Sequence, residues 1–257
     1  MKHILLMAAF ILSLGNLKAE EVSVGIACSS ACESYGNTDP KLIFGWGETI
    51  SEFLAPNVKV LNFAKAGAST SSFRENKHWD KLLAAKPTYA LLALGANDTP
   101  PKKHSNTIDQ FKENLRQFVA DCNANGIQPI FVTLNQSMVW NKDKTEMVFR
   151  PKSAPVRKDR VPYSQAIREV AAEQKLPCLE LFDTQSKYMA KLGEERCRTF
   201  YRYNPETEKM DPSHTNREGA RFVASIIAEL LSQAQTPLAE FALREKVLAF
   251  QKELGLK

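Results

Sequence analysis

An acidic residue and a histidine separated by two positions, Asp211 and His214, are the pair in this chain best suited to proton transfer. When two such side chains meet across a short turn, the carboxylate accepts a hydrogen bond from the imidazole and fixes its tautomer. It also stabilises the imidazolium that forms when the ring takes a proton. A histidine held in this way is a general base that needs a nucleophile. The spacing alone is a weak signal, because acidic residues and histidines often occur at this separation by chance.

Two other segments could supply hydrogen bonds to a developing negative charge. Gly67 lies in a loop of small residues after one apolar run, and Asn97 follows Gly95 and Ala96 after another. The backbone N–H of a glycine allows close approach of a ligand, and the Asn97 side-chain amide is a second donor. Taken singly, a tight turn explains Gly67, and a local cap or Asx turn explains Asn97. Together with a histidine base, the two donors favour the hydrolysis of an ester.

The pattern of apolar runs predicts the scaffold that positions these residues. Five β-rich runs alternate with helical stripes in which apolar residues recur at a spacing of three and four. The runs cover residues 22–27, 58–63, 89–94, 130–134 and 178–182, and the stripes cover residues 108–119, 163–174 and 220–231. Strands separated by helices pair in parallel through right-handed crossovers. We therefore expect a three-layer α/β/α sandwich with a central five-stranded parallel sheet, whose ligands bind at the carboxyl ends of the strands.

Residues 1–19 are typical of a secretion signal peptide. Lys2 and His3 give a basic start, residues 4–14 form a short apolar core, and Ala19 is a small residue before a plausible cleavage point. The core is too short for a stable transmembrane helix, which needs about 20 residues, although an uncleaved anchor is the alternative. We therefore predict export to the periplasm or the extracellular medium, without stable membrane insertion.

The remainder of the chain is predicted to form a hydrolase-like domain over residues 20–234, followed by a C-terminal segment, residues 235–257. That segment is expected to contain an amphipathic helix at residues 238–254 that packs on the domain, with a dimer contact as the less favoured alternative. Residues 140–162 are a long polar segment with seven Lys or Arg and three Asp or Glu. This segment is either a solvated loop or a wall that faces the substrate.

The amino-acid composition bears on nucleic-acid binding and on disulfide formation. The chain has 34 Lys and Arg against 29 Asp and Glu, a balance that argues against nucleic acid as the main partner, because nucleic-acid-binding domains concentrate far more basic charge. Its five cysteines permit one or two disulfides in an exported protein and leave at least one thiol unpaired. Neither the disulfide connectivity nor the oligomeric state can be read from the sequence.

Five blocks of residues, in this order, resemble the SGNH (GDSL-type) hydrolase superfamily, and within it the rhamnogalacturonan acetylesterase-like branch. The blocks are Gly45-Trp46-Gly47-Glu48; residues 62–67 with Ser71, Ser72 and Phe73; residues 94–98; Tyr163, Ala166 and Arg168 with residues 171–173; and Asp211 and His214 with Asn216, Gly219 and Ala220. The resemblance implies the flavodoxin-like α/β/α fold of that superfamily. It also implies that His214 is the base and Asp211 its orienting acid, and that Gly67, Asn97 and the N–H of the nucleophile form the oxyanion hole.

The nucleophile is where this chain departs from the family pattern. Members have Gly-Asp-Ser after the first strand, whereas residues 27–35 of this chain read Ala-Cys-Ser-Ser-Ala-Cys-Glu-Ser-Tyr. Alignment of the strand end favours Ser30, and a shifted alignment selects Ser29. A third alignment selects Cys32, whose thiolate would be a competent nucleophile beside a histidine, unless a disulfide, for example with Cys28, removed it.

From the resemblance we expect an exported serine esterase that removes O-acetyl groups from a polysaccharide, pectic rhamnogalacturonan in the first place, with no metal or organic cofactor. The expected partner is thus an acetylated carbohydrate, with xylan and peptidoglycan as alternative substrates. A catalytically degenerate glycan-binding or surface protein of the same fold is the main alternative, because the Gly-Asp-Ser motif is missing and a fold does not fix a function. A lipase-like enzyme is a weaker alternative, since residues 140–162 are polar and no apolar lid is evident.

Overall fold

The computed structural model describes residues 21–152 and 155–257. The predicted signal peptide, residues 1–19, lies outside this described part of the chain. Within the described part, no helix is both long enough and apolar enough to cross a membrane.

Strands and helices alternate along the first two thirds of the described chain, as the apolar pattern predicts. The strands are β1 (Val22–Cys28), β2 (Val58–Asn62), β3 (Tyr89–Ala93), β4 (Gln128–Val132), β5 (Val139–Trp140), β6 (Met147–Val148), β7 (Cys178–Leu179), β8 (Tyr201–Asn204) and β9 (Lys209–Thr215). The α-helices are α1 (Trp46–Thr49), α2 (Thr70–Glu75), α3 (His78–Ala85), α4 (Ile108–Ala124), α5 (Val161–Glu173), α6 (Leu181–Leu192), α7 (Glu194–Arg198), α8 (Arg217–Gln233) and α9 (Arg244–Glu253). Short 3₁₀ helices cover Ile50–Phe53, Lys158–Arg160 and Pro237–Phe241.

The central sheet has five parallel strands in the order β2-β1-β3-β4-β7. Val22 of β1 lies beside Val58 of β2, and Val24 of β1 lies beside Tyr89 of β3. Helices cover both faces of this sheet, so the predicted α/β/α sandwich is confirmed. The loops that follow β1, β2 and β3 therefore emerge at one edge of the sheet, which is where ligands of such folds bind.

The two faces of the sheet form two separate cores. Val24 and Ile26 of β1 belong to a cluster that includes the apolar face of α8, whereas Ala27 belongs to a second cluster with α4 and α5. This division follows from the pleat, because successive side chains of a strand point to opposite faces. Burial on both faces also explains why these strands are almost continuously apolar in the sequence.

The fifth strand is shorter than predicted. The apolar run at residues 178–182 forms a strand over Cys178–Leu179, and α6 begins at Leu181. Thr133 at the end of β4 explains the change, because its N–H donates to the Leu179 carbonyl at 3.0 Å and its hydroxyl accepts from Phe182 N–H at 2.9 Å. That hydroxyl satisfies one of the backbone donors at the start of a helix, which have no partner within the helix.

The C-terminal segment contains two short helices where one was predicted. The 3₁₀ helix Pro237–Phe241 and α9 are separated at Leu243, whose N–H donates to the Phe53 carbonyl at 2.9 Å. Beyond the break, the ring of Phe250 lies 5.5 Å from that of Phe53 between centroids. The backbone bond to Phe53 interrupts the helix, and the aromatic contact packs α9 on the domain.

Two antiparallel hairpins lie outside the central sheet, and the apolar pattern predicts neither. β5 and β6 pair Trp140 with Met147 inside the polar segment 140–162, and β8 and β9 pair Tyr203 with Met210. The second hairpin matters for function, because β9 carries both residues of the acid and histidine pair.

Candidate active site

Ser30, His214 and Asp211 form a continuous chain of hydrogen bonds. The Nε2 atom of His214 lies 3.1 Å from Oγ of Ser30, and its Nδ1 atom lies 2.7 Å from Oδ2 of Asp211. The fold brings the serine, which follows β1, to a histidine 184 positions later in the chain. These contacts are those of a nucleophile, a base and an acid that orients the base. The catalytic roles of the three residues stay predictions.

The acid and the histidine lie in β9 rather than in the short turn that their spacing suggests. Residues three apart in a regular strand point to opposite faces, so a local distortion is needed for Asp211 to reach His214. The β8–β9 pairing has such an irregularity between Tyr201 and Tyr203, and the N–H of Ser213 donates to Asp211 Oδ1 at 2.8 Å. Thr215 then fixes the strand, because its carbonyl accepts from Phe44 N–H and its hydroxyl donates to the Phe44 carbonyl, both at 2.9 Å.

Arg202 is a member of the site that sequence reasoning missed. Its Nε donates at 3.0 Å to Oδ2 of Asp211, the same oxygen that contacts His214. Burial alone would raise the pKa of Asp211. The hydrogen bond and charge of His214, the Ser213 N–H and Arg202 outweigh that effect and hold the pKa well below its ordinary value. Asp211 is therefore ionised at neutral pH and can stabilise an imidazolium.

A tight turn after β1 presents Ser30. The N–H of Cys32 donates to the Ser29 carbonyl at 3.1 Å, and the Tyr35 hydroxyl donates to the Ser30 carbonyl at 3.0 Å. Trp46, the first residue of α1, donates its N–H to the carbonyl of Ala31 at 2.9 Å. These bonds hold the backbone of the turn so that the partly exposed Ser30 faces His214.

The two alternative nucleophiles do not fit this geometry. Ser29 is only 2% exposed, and the hydroxyl that contacts His214 belongs to Ser30. Cys32 is fully buried and forms a disulfide with Cys28, so it has no thiol to ionise. Cys32 is therefore not available as a thiol nucleophile in this structure, and the choice of Ser30 stays a prediction.

Gly67 and Asn97 lie in neighbouring loops after β2 and β3. Gly67 has φ +77°, a conformation that favours glycine, and a Cβ added there would meet no atom within 4 Å. The Asn97 side chain donates to the Ala68 carbonyl at 3.1 Å, which ties the two loops together. A carboxamide has two N–H donors, so this bond permits a second one to a ligand. The assignment of both residues to an oxyanion hole stays a prediction.

A buried carboxylate beside Asn97 connects its loop to α2. Asp98 is fully buried and accepts hydrogen bonds from the Thr70 hydroxyl at 2.5 Å, the Thr70 N–H at 3.1 Å and the Asn106 side chain at 2.6 Å. Burial raises the pKa of Asp98, although these hydrogen bonds oppose the change. In the sequence, Asp98 was noted only as the last residue of the block 94–98. Its hydrogen-bond partners, Thr70 and Asn106, could not be identified from their spacing in the chain.

Glu33 supports the Gly67 loop from the other side. Its carboxylate accepts from the Ala66 N–H and from the Lys65 ammonium, each at 2.6 Å. The loop that carries the first candidate donor is thus linked directly to the turn that carries Ser30. Sequence reasoning missed this contact because no local motif pairs a glutamate with a loop 32 to 33 residues later.

A groove of about 470 Å³ opens beside Asp211. Its lining residues come from the β5–β6 and β8–β9 hairpins: Trp140, Lys144, Asn204, Thr207, Lys209, Met210, Asp211, Pro212 and Ser213. The ring of Trp140 and the ammonium groups of Lys144 and Lys209 therefore share this groove with Asp211. Across residues 21–152 and 155–257, no group of three or more His, Cys, Asp and Glu side chains is arranged to hold a metal ion.

Comparisons with known proteins identify relatives of this chain. The GDSL-like Lipase/Acylhydrolase family matches residues 30–222. The chain is 22% identical to the probable rhamnogalacturonan acetylesterase YesY of Bacillus subtilis (strain 168) over 226 residues, which are 86% of this chain and 97% of the relative. It is 28% identical to the rhamnogalacturonan acetylesterase RhgT of the same organism over 207 residues, or 76% of this chain and 84% of the relative.

Solved structures share the fold. The protein YXIM of Bacillus subtilis superposes with a TM-score of 0.68 at 24% identity, over 83% of this chain and 56% of that one, so this chain spans little more than half of its length. Axe2, an acetylxylan esterase from Geobacillus stearothermophilus, superposes with a TM-score of 0.58 at 14% identity, over 81% of this chain and 93% of that one. The family match and the two sequence relatives confirm the resemblance stated from the sequence blocks.

Proposed function

This chain belongs to the GDSL-like lipase/acylhydrolase family, and on that premise we propose that it is an exported serine esterase that removes O-acetyl groups from an acidic, pectic polysaccharide. The chief support is the chain of hydrogen bonds from Ser30 Oγ through His214 to Asp211. The two named relatives are rhamnogalacturonan acetylesterases. They make an acetylated carbohydrate the preferred substrate class.

The first half of the proposed reaction acylates Ser30. Its oxygen attacks the acetyl carbonyl while its proton passes to Nε2 of His214, and the ionised Asp211 stabilises the resulting imidazolium. The carbonyl oxygen becomes an oxyanion that would accept hydrogen bonds from the N–H of Gly67, the amide of Asn97 and the N–H of Ser30. Collapse of the tetrahedral intermediate breaks the ester bond, and the sugar hydroxyl leaves with the proton from His214.

The second half releases acetate. A water molecule gives a proton to His214 and attacks the acetyl-serine, which again places negative charge on the carbonyl oxygen. When this intermediate collapses, Ser30 recovers the proton and acetate leaves. The residues of the site supply every proton transfer of this cycle, so the mechanism calls for no cofactor.

The groove beside Asp211 supports an acidic glycan. Trp140 offers an apolar face on which a sugar ring can pack, and Lys144 and Lys209 can pair with the carboxylate of a uronic acid. The test compares acetate release from acetylated rhamnogalacturonan and from acetylated xylan with the purified protein. A kcat/KM at least tenfold higher for rhamnogalacturonan is expected, and equal values would contradict the acidic substrate.

Export is supported by two features. Residues 1–19 have the pattern of a signal peptide, and the Cys28–Cys32 disulfide suits an oxidising compartment. Expression of the full chain in a bacterial host, followed by fractionation and N-terminal sequencing, tests the proposal. The expected product begins at Glu20 and lies outside the cytoplasm, and an intact chain that stays in the cytoplasm would contradict it.

The alternative function is glycan binding without turnover, which the missing Gly-Asp pair favours. The assembled contacts of Ser30 and His214 support hydrolysis instead. Measurement of acetate release and of binding on the same polysaccharide separates the two functions. Saturable binding with no acetate release, in a folded protein, would favour the alternative.

A further inference from the structure

The turn that carries Ser30 is closed by a covalent bond. Cys28 and Cys32 form a disulfide, and Ser30 is the middle residue of the loop between them. The two cysteines are 2% and 0% exposed, whereas Ser30 is partly exposed. The disulfide therefore lies inside the protein, directly under the residue whose hydroxyl contacts His214.

Both ends of the disulfide are anchored in rigid parts of the fold. Cys28 ends β1, and its carbonyl accepts from Lys65 N–H at 3.0 Å. The carbonyl of Cys32 accepts from the Asn62 side chain at 2.6 Å. Gly47 packs so closely on this carbonyl that a Cβ there would lie 2.4 Å from its oxygen. Neither cysteine can shift without disturbing the sheet or α1.

Between these anchors, the other restraints on the backbone of the turn are three hydrogen bonds to its carbonyls, one of them from Trp46 N–H to the Ala31 carbonyl at 2.9 Å. The Ser29 and Ser30 carbonyls accept from Cys32 N–H at 3.1 Å and from the Tyr35 hydroxyl at 3.0 Å. The aspartate that the family pattern places before the nucleophile is absent from this turn. We propose that the Cys28–Cys32 disulfide is the positioning device that holds Ser30 Oγ at Nε2 of His214, a role that rests on the proposed esterase function.

The direct test replaces both cysteines in the variant Cys28→Ala/Cys32→Ala and measures kcat and KM for acetyl-ester hydrolysis. We expect kcat to fall about 10- to 100-fold, since a misplacement of about 1 Å at a reacting group can cost about 100-fold. KM should stay within about threefold, because the groove proposed to bind substrate is built from other elements. Cys178→Ala, which removes a free, partly buried thiol, is the matched control and should keep the wild-type kcat.

A second measurement keeps the test decisive if the double variant does not fold. Because the disulfide is buried, wild-type protein is unfolded in urea, reduced with a water-soluble phosphine and refolded with the phosphine present. The phosphine supplies two electrons to the disulfide, while water supplies the oxygen of the phosphine oxide and the protons of both thiols. Mass spectrometry confirms the reduced cysteines, and circular dichroism confirms the fold. A loss of kcat that reoxidation reverses supports the proposal.

The possible results distinguish a failure of the positioning role from a failure of the esterase function. Unchanged kcat in a folded protein without the disulfide would overturn the positioning role and leave the esterase intact. A rise in KM at constant kcat would also overturn it, because it would indicate damage to substrate binding instead. Oxidised wild-type protein that hydrolyses no acetyl ester would overturn the esterase function and the positioning role together.

Discussion

Arg202 and His214 share one oxygen atom, Oδ2 of Asp211, at 3.0 Å and 2.7 Å. Two side chains thus hold the carboxylate of Asp211: the guanidinium of Arg202 on β8 and the imidazole of His214, which follows Asp211 on β9. Since the side chain of Asp211 is only 19% exposed, solvent competes weakly for these bonds. We therefore expect the orientation of the proposed base to depend on Arg202, which lies outside the sequence blocks that carry the family resemblance.

The first prediction concerns this arginine. Arg202→Gln removes the charge and the fixed Nε donor, so Asp211 can rotate away from His214. We expect kcat/KM for an acetyl ester to fall about tenfold, which corresponds to about 1.4 kcal/mol. Steady-state kinetics on the purified variant measure the change. Arg202→Lys is the matched control and should recover part of the loss, and wild-type kinetics in Arg202→Gln would show that the contact is irrelevant to the base.

The second prediction concerns stability and pH. The pKa of Asp211 is lower in the folded chain than its ordinary value of about 3.9, so its ionised form stabilises the fold above that value. The contribution is lost as the pH falls toward the folded-state pKa. We expect Asp211→Asn to lower the free energy of unfolding by about 1–3 kcal/mol at pH 7. The difference from wild type should shrink as the pH falls below 4.

Urea unfolding of both proteins at pH 7, 5 and 3 measures this difference. Titrating groups that do not contact Asp211 are common to the two proteins, so their effects cancel. A difference in unfolding free energy that is constant from pH 7 to pH 3 would mean that Asp211 is not stabilised as an anion.

The third prediction concerns the proposed oxyanion hole. Asn97→Ala removes a side-chain donor and should lower kcat about 100- to 1000-fold, with a smaller effect on KM, because the bond strengthens when charge develops. Asn123→Ala, on the exposed side of α4, is the control for a change of asparagine to alanine. A kcat within threefold of wild type in Asn97→Ala would remove this residue from the oxyanion hole.

The fourth prediction concerns the basic groove. Lys144→Ala/Lys209→Ala should raise KM for acetylated rhamnogalacturonan about fivefold, since exposed ion pairs contribute up to about 1 kcal/mol each. KM for acetylated xylan, which lacks galacturonate, should change less. Added salt should reduce the difference between wild type and variant, because it screens exposed charges. Lys81→Ala on α3 is the control, and equal effects on both polysaccharides would show that the lysines do not recognise acidic sugars.

Most strands of the central sheet could be predicted, because each corresponds to a local run of apolar residues. β1 to β4 follow the predicted strands to within two residues. β1, β3 and β4 are mostly buried and therefore mainly apolar, whereas β2 lies at the edge of the sheet and exposes Lys59. The β8–β9 hairpin could not be predicted in this way, because its sequence is mainly polar and β8 is only four residues long. Arg202 was missed for that reason, as its contact with Asp211 exists only after the two strands pair.

The residues of the candidate site also fall into those that the sequence could select and those that only the fold could select. Asp211 and His214 could be selected by their short spacing, and Gly67 and Asn97 by their positions after apolar runs. The choice between Ser30 and Cys32 could not be made from spacing, because it depends on where the turn after β1 places each side chain. The structure points Ser30 toward His214 and joins Cys32 to Cys28.

The central claim is that Ser30 is a nucleophile activated by His214. The measurement that tests it most directly is labelling of the purified protein with a fluorophosphonate, with the modified residue located by peptide mass spectrometry. We predict a label on Ser30 that is lost in the folded His214→Ala variant. A label on Ser29, or acetate release by a protein in which Ser30 is replaced by alanine, would contradict the account.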